Sequence, residues 1–146
     1  MKEKVKNLLA KKEWAYMENE DIIKLDINGE SFTWSSFIKC DEEYSLSYFS
    51  VLPTRIPQEK MQQFLLLVNE INCRLWYGSF ELITDEEARG QLRLRTATII
   101  PPETAEKTED TLIDGVLSMN MAAMNMYGGA LMKAIYSDDV KLDDYI

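Results

Sequence analysis

Histidine is absent from all 146 residues. Its absence removes Ser–His and Cys–His nucleophilic pairs and the commonest side-chain ligand of transition metals. Cysteine is nearly as scarce: Cys40 and Cys73 are the two in the chain. They lie far apart and form no close-spaced pair, so they read as buried thiols rather than a disulfide or a zinc site. No Walker-type loop, GxGxxG fingerprint or CxxC motif is present, and the cofactor-dependent classes lose their usual signatures. Apolar runs are short. The longest, such as 64–68, are far below the roughly 20 residues that cross a bilayer, and no basic-then-apolar segment opens the chain. A cytoplasmic protein is expected. Bases are also few, 16 Lys and Arg against 25 Asp and Glu for a net charge of -9, which argues against nucleic acid and against anionic membranes.

The remaining charged clusters offer little chemistry. Asp85-Glu86-Glu87 and the pairs Asp138-Asp139 and Asp143-Asp144 lack the spacing and glycine of a calcium loop and read as a solvated hairpin tip and a solubilising tail. Arg93 and Arg95 share one strand face and are expected to pair with acids on neighbouring strands rather than to bind an anion. Trp76 and Tyr77 read as packing residues at a helix–strand corner. No catalytic residue, metal site or cofactor site emerges, and the chain is expected not to be an enzyme.

What is present is a pattern of elements that fits one domain over residues 1–146, with 46% hydrophobic residues and a core to match. Val5, Leu8 and Leu9 give a helix over 2–12 with one apolar edge. Trp14 and Tyr16 suggest a short strand before the polar turn 18–21. Ile23, Leu25 and Ile27 alternate with polar residues, and Asn28-Gly29 predicts a two-residue hairpin loop. That loop sets Ile27 opposite Glu30, Leu25 opposite Phe32 and Ile23 opposite Trp34. The alternation runs on through Ile38 and Cys40, a turn at Asp41-Glu42-Glu43, and Leu46, Tyr48 and Leu52, which makes a three-stranded meander. Pro57 opens a helix whose core stripe is Met61, Phe64, Leu65, Val68, Ile71 and Leu75. Gly78 ends that unit. A hairpin then pairs Leu82 with Leu92 and Glu81 with Arg93 around an acidic tip closed by Gly90.

The last helix, 112–136 with Glu103 and Glu106 near its start, carries five of the eight methionines. Its apolar residues cover more than a single stripe, so a second contact surface is expected. Unbranched thioethers repack cheaply and suit adaptable partner binding. Met119, Met121, Met124, Met126, Tyr127, Leu131 and Met132 are therefore the candidate protein interface. Gly128-Gly129 predicts a kink, a break or a tight crossing. The acidic tail 137–146 is expected to be frayed or mobile.

Several of these residues together resemble a known family. Trp34 follows an Asn-Gly hairpin, Val51-Leu52-Pro53 and Ile56-Pro57 precede the central helix, and Asn69 and Asn72 lie in its second half. Tyr77-Gly78-Ser79-Phe80-Glu81-Leu82 forms a corner, Leu92-Arg93-Leu94-Arg95-Thr96 a strand, and Met119 lies in the final helix. This pattern is similar to the YbjN family of bacterial proteins, described as sensory transduction regulators, and the similarity runs roughly over 5–136. The resemblance implies an α+β fold like that of type III secretion chaperones, with a twisted antiparallel sheet, packed helices and commonly a homodimer. It implies no catalytic residues and no cofactor. The chain departs from the family pattern in the acidic tip 84–90 and in the methionine-rich run 119–126. The expected function is a regulator or chaperone-like adaptor acting through protein contacts, as a homodimer or with an unidentified protein partner. The alternative is a small-molecule or ion sensor with a pocket between the sheet and the last helix, walled by Trp34, Trp76 or Tyr77.

Overall fold

The computed structural model describes residues 1–40 and 44–138. The expected turn at Asp41-Glu42-Glu43 and the tail from residue 139 lie outside the described residues. Helix α1 (Lys2–Lys11) leads into strands β1 (Met17–Asn19), β2 (Ile22–Asn28), β3 (Thr33–Lys39) and β4 (Ser45–Val51). A 3-10 turn at Gln58–Lys60 precedes α2 (Met61–Arg74), then β5 (Ser79–Leu82), β6 (Leu92–Ile99) and α3 (Glu106–Tyr136). The strands form one antiparallel sheet in the order β1-β2-β3-β4-β6-β5. The fold is α+β, and the expected meander is present with β1 added at its edge. That edge strand falls at 17–19 rather than at Trp14 and Tyr16.

Alternation decides which face of the sheet is covered. Ile23, Leu25, Trp34, Ile38, Leu46, Tyr48, Phe80, Leu92 and Leu94 are all buried, and the strand register places them on one side. All three helices pack on that side. Val5, Leu8 and Leu9 of α1 join Ile113, Val116 and Leu117 of α3 over one end of the sheet. Phe64, Val68 and Ile71 of α2 join Met124, Tyr127 and Leu131 of α3 over the other. The 31-residue α3, about 46 Å long at 1.5 Å per residue, is thus the spine shared by two clusters. Its wide apolar surface is covered from within, by the sheet and by its two neighbouring helices.

Three sequence expectations are corrected by packing and a fourth is narrowed. In the β2–β3 hairpin Ile27 pairs with Trp34 and Ile23 with Ile38, leaving a four-residue loop at 29–32. The shift from the predicted register is even, so the same side chains still face inward. Tertiary contacts override the turn preference there. The loop is tied to α3 by the Asn125 side chain, whose Oδ1 accepts from the Glu30 amide at 3.0 Å, and the Phe32 ring stacks on Trp34 at 5.2 Å between centroids. Second, Leu65 is exposed rather than part of the α2 core stripe, and Leu75 lies just past the helix end. Third, Cys40 is half-buried and Cys73 exposed, so neither is a buried thiol. Fourth, α3 runs unbroken through Gly128-Gly129. The expected break is not found, and the close approach at Gly128 is by a side chain, since a Cβ there would sit 2.5 Å from the Phe32 ring.

Electrostatics fasten α1 to its neighbours. Lys11 reaches Asp110 at 2.6 Å and Glu106 at 3.3 Å, Lys12 reaches Asp114 at 2.6 Å, and Lys4 bonds the buried Glu109. On the other side Glu18 of β1 accepts from Lys2 at 2.7 Å and Lys6 at 3.2 Å. Hydrogen bonds from those two lysines hold the Glu18 carboxyl below its ordinary range. Hydrogen bonds donated to Glu3 and Glu18 raise Lys6, and those donated to Asp110 and Glu106 raise Lys11. Glu18 therefore stabilises the fold above the unfolded carboxylate range and loses that effect as pH falls through its lowered folded value. The two lysines contribute below their unfolded value and lose it as pH rises through the raised one. Melting temperature against pH should accordingly decline at both the acid and the strongly alkaline end. The decline should shrink in Lys11→Met on the alkaline side and in Glu18→Gln on the acid side.

Candidate functional site

The residues that sequence singled out do not come together as one surface. Met124, Tyr127 and Leu131 are buried at 0%, 4% and 0% exposure. They belong to the core under α2, which corrects their assignment to an interface. Met121 and Met132 are partly buried against the same core. Met119 and Met126 are exposed. A helix shared by two clusters needs apolar side chains on several flanks, and this accounts for the unusual breadth of its pattern.

Where α3 meets the sheet there is a buried polar seam that sequence reasoning missed. Asn120 donates from Nδ2 to the carbonyls of Tyr48 and Leu94 and to Thr96 Oγ1, each at 3.2 Å. Thr96 Oγ1 in turn donates to the Val116 carbonyl at 3.0 Å. Nearby the Trp34 indole donates to Ser50 Oγ at 3.0 Å, and Ser50 and Ser36 share a hydrogen bond of 2.9 Å. The Tyr48 hydroxyl and Asn120 Oδ1 are buried without a hydrogen bond of good geometry. Burial pushes the Tyr48 phenol above its usual value, with the Ser36 and Ser50 hydroxyls pulling the other way, so it stays neutral. The seam fixes the register of α3 on the sheet. Its hydroxyls, indole and amide offer hydrogen bonds and no charged group. The inward-facing Ser36 on β3 and Ser50 on β4, where alternation expects apolar residues, were the available signal.

The opposite side of α2 presents a different surface. Met61, Phe64, Val68 and Ile71 face inward. The run Leu65-Leu66-Leu67 then cannot follow them, because successive residues turn about 100° around a helix. Leu65 is 47% exposed and Leu66 75%. At the end of the helix the Asn72 side chain clasps the outer edge of β5, accepting from the Phe80 amide at 2.8 Å and donating to its carbonyl at 3.0 Å. The chain turns back sharply through Leu75 in extended conformation and Gly78 at φ 75°. That turn leaves Trp76 93% exposed and Tyr77 60% exposed. The expectation that these two pack into the corner is corrected. Between residues 61 and 78 the charged side chains are Glu70 and Arg74, which bond each other at 3.0 Å. Exposed Leu65, Leu66, Trp76 and Tyr77 thus lie along a segment of zero net charge, beside exposed Gln62, Gln63 and Asn69, on a molecule whose net charge is -9.

The expected pocket between sheet and α3 is filled by core side chains. Trp34 is buried in it, and Trp76 points to solvent. A cleft of about 410 Å³ does open beside β2, where Trp14, Leu25, Ile27 and Met121 line it together with Glu13, Asp26 and Asn28. Glu81 receives both arginines of β6, Arg93 through Nε at 2.8 Å and Arg95 through Nε at 2.8 Å. The expected pairing of those arginines with an acid on a neighbouring strand is present. Among the described residues no group of three or more acidic, cysteine or histidine side chains converges to hold a metal ion, and no helix is long and apolar enough to cross a membrane.

Comparison with known proteins follows this geometry. A family model described as "YbjN: Putative bacterial sensory transduction regulator" matches residues 2–118. Among solved structures the fold is similar to one described as "Crystal structure of YbjN, a putative transcription regulator from E. coli", with a TM-score of 0.69 at 7% sequence identity, over 88% of this chain and 92% of that chain. At so low an identity the likeness is one of fold. No curated protein matches the sequence.

Proposed function

The chain belongs to the YbjN family, and from that premise we propose that it works as a non-enzymatic, cytoplasmic bacterial regulator or chaperone-like adaptor, assembled as a homodimer through the exposed strip of α2. The observation that carries this reading is the strip itself: Leu65 and Leu66 on α2 and Trp76 and Tyr77 just past its end stand in solvent. Exposed apolar patches of this kind are characteristic of contact sites. Trp76 and Tyr77 together offer roughly 300 Å² on the scale of 150–250 Å² per aromatic side chain. The leucines extend this toward the ~800 Å² per partner typical of a stable interface.

Charge selects the occupant. Two copies of a molecule with net charge -9 repel each other across most of their surfaces. On the neutral flank of α2 the Glu70–Arg74 pair is internally compensated and that repulsion is weakest. A two-fold axis through the middle of α2 would lay Leu65 and Leu66 against their own copies, as an isologous interface requires. Light scattering over a range of concentrations should return twice the chain mass. A monomer at every concentration would overturn the reading.

A second reading, a sensor of a small molecule, is favoured by the cleft where Trp14, Leu25, Ile27 and Met121 stand beside Glu13, Asp26 and Asn28. A metabolite screen that raises the melting temperature, with the rise lost in Met121→Glu, checks it.

A further inference from the structure

The face of the sheet turned away from the helices carries a second feature, independent of the α2 strip. Its strand register lines up Lys24, Phe37, Phe49 and Arg95 across four strands, and beside them Ser35, Val51, Arg93 and Glu81. Two grooves of about 560 and 380 Å³ lie on this face and share Phe37, Val51 and Gln91 in their walls. They therefore form one trough with an apolar floor. Its charge runs against that of the molecule. The strand residues pointing out on this face are Lys24, Lys39, Arg93 and Arg95 against Asp26 and Glu81, whereas the whole chain holds 16 bases against 25 acids.

The arginines are only half neutralised. Both rest on one carboxylate, that of Glu81, and each uses Nε to reach it. The Arg93 guanidinium also lies over the Phe49 ring, 4.7 Å from its centroid, which holds a cation directly above the apolar floor. Arg95 is 48% exposed at its side chain. The terminal amino groups of this pair are set to take a further carboxylate in a charge-assisted, forked arrangement.

We propose that this trough docks an acidic segment of a partner protein, one that carries aliphatic or aromatic side chains among its carboxylates. The floor of Phe37, Phe49 and Val51 takes the apolar groups, and Arg93 and Arg95 take a carboxylate. The backbone groups of β2, β3, β4 and β6 are engaged in the sheet ladder, so the segment is held by side chains rather than by strand addition. A second copy of this chain placed face to face would set the arginine pairs against each other, and like charges disfavour that arrangement.

The test is fluorescence anisotropy of the full chain with three labelled peptides, built from glutamate and leucine, from glutamate and serine, and from lysine and leucine. The glutamate–leucine peptide should bind, the other two far more weakly, and binding should fall as salt is raised. Arg95→Ala should weaken it about tenfold, as expected for loss of one charge-assisted hydrogen bond, with an unchanged melting curve because the side chain is half exposed. Lys24→Ala, on the same row, should weaken it less. Leu66→Asp, on the opposite flank, should leave it intact, so this proposal and the α2 dimer fail separately. Absence of binding, equal binding of the lysine–leucine peptide, or indifference to Arg95→Ala overturns the proposal. So does an Arg93→Glu/Arg95→Glu variant whose mass in solution falls to that of a monomer, since the face would then belong to the dimer.

Discussion

Gly78→Ala should destabilise the chain by about 2–4 kcal/mol, the sum of a left-handed backbone penalty of about 1–2 kcal/mol and an overpacking term of similar size. Gly78 has φ 75°, a conformation that side chains rarely adopt. A Cβ there would collide with the Arg95 carbonyl oxygen and sit 2.7 Å from Thr96 Cγ2. Neither neighbour can yield cheaply. Arg95 is paired with Ser79 and Phe49 in the sheet, and Thr96 bonds the Val116 carbonyl and receives Asn120. Relief at the corner would therefore pull on the seam that seats α3. In a thermal melt the loss corresponds to a drop of about 10 °C for a domain of this size. Gly115→Ala is the control. A Cβ at Gly115 meets nothing within 4 Å, and removing a helical glycine should raise stability by roughly 0.5–1 kcal/mol.

Just past that corner, sequence and structure agree best. The hairpin after it pairs Leu82 with Leu92 and Glu81 with Arg93, as alternation alone predicts. Alternation puts Phe80, Leu92 and Leu94 on the buried face and both arginines beside Glu81. The β2–β3 hairpin was less legible because its turn is decided by α3. Asn125 and Gly128 draw the loop at 29–32 onto the helix, and Asn28-Gly29 contains no trace of that distant contact. Burial of the methionines was illegible for a related reason. Breadth of apolar pattern reports how many surfaces a helix touches, not whether those surfaces belong to the same chain. The family match ends at residue 118, short of the 5–136 span of the resemblance, so the methionine-rich half of α3 lies outside it. The α2 strip could have been found, since three consecutive leucines span about 200° of a helix and one core stripe cannot hold them all.

Two charged substitutions separate core from interface. Met124→Asp should unfold the chain or cost it about 4 kcal/mol or more, because Met124 is fully buried among apolar side chains where a carboxylate finds no partner. Were α3 the contact surface, the same change would instead leave a folded monomer. Leu66→Asp should give that second outcome. Leu66 is 75% exposed, so the isolated subunit loses little. In the dimer the substitution places two carboxylates near the two-fold axis and removes two apolar contacts. A combined penalty of about 3 kcal/mol raises the dissociation constant roughly 100-fold. Light scattering should then show half the wild-type mass at a concentration where wild type remains dimeric, with circular dichroism and the melt of the monomer unchanged. Trp76→Ala should move in the same direction by a smaller step, because the ring is 93% exposed in the single chain and its contribution can come only from what it meets on association. Unchanged mass in both variants would leave the exposed strip of α2 without a part in assembly.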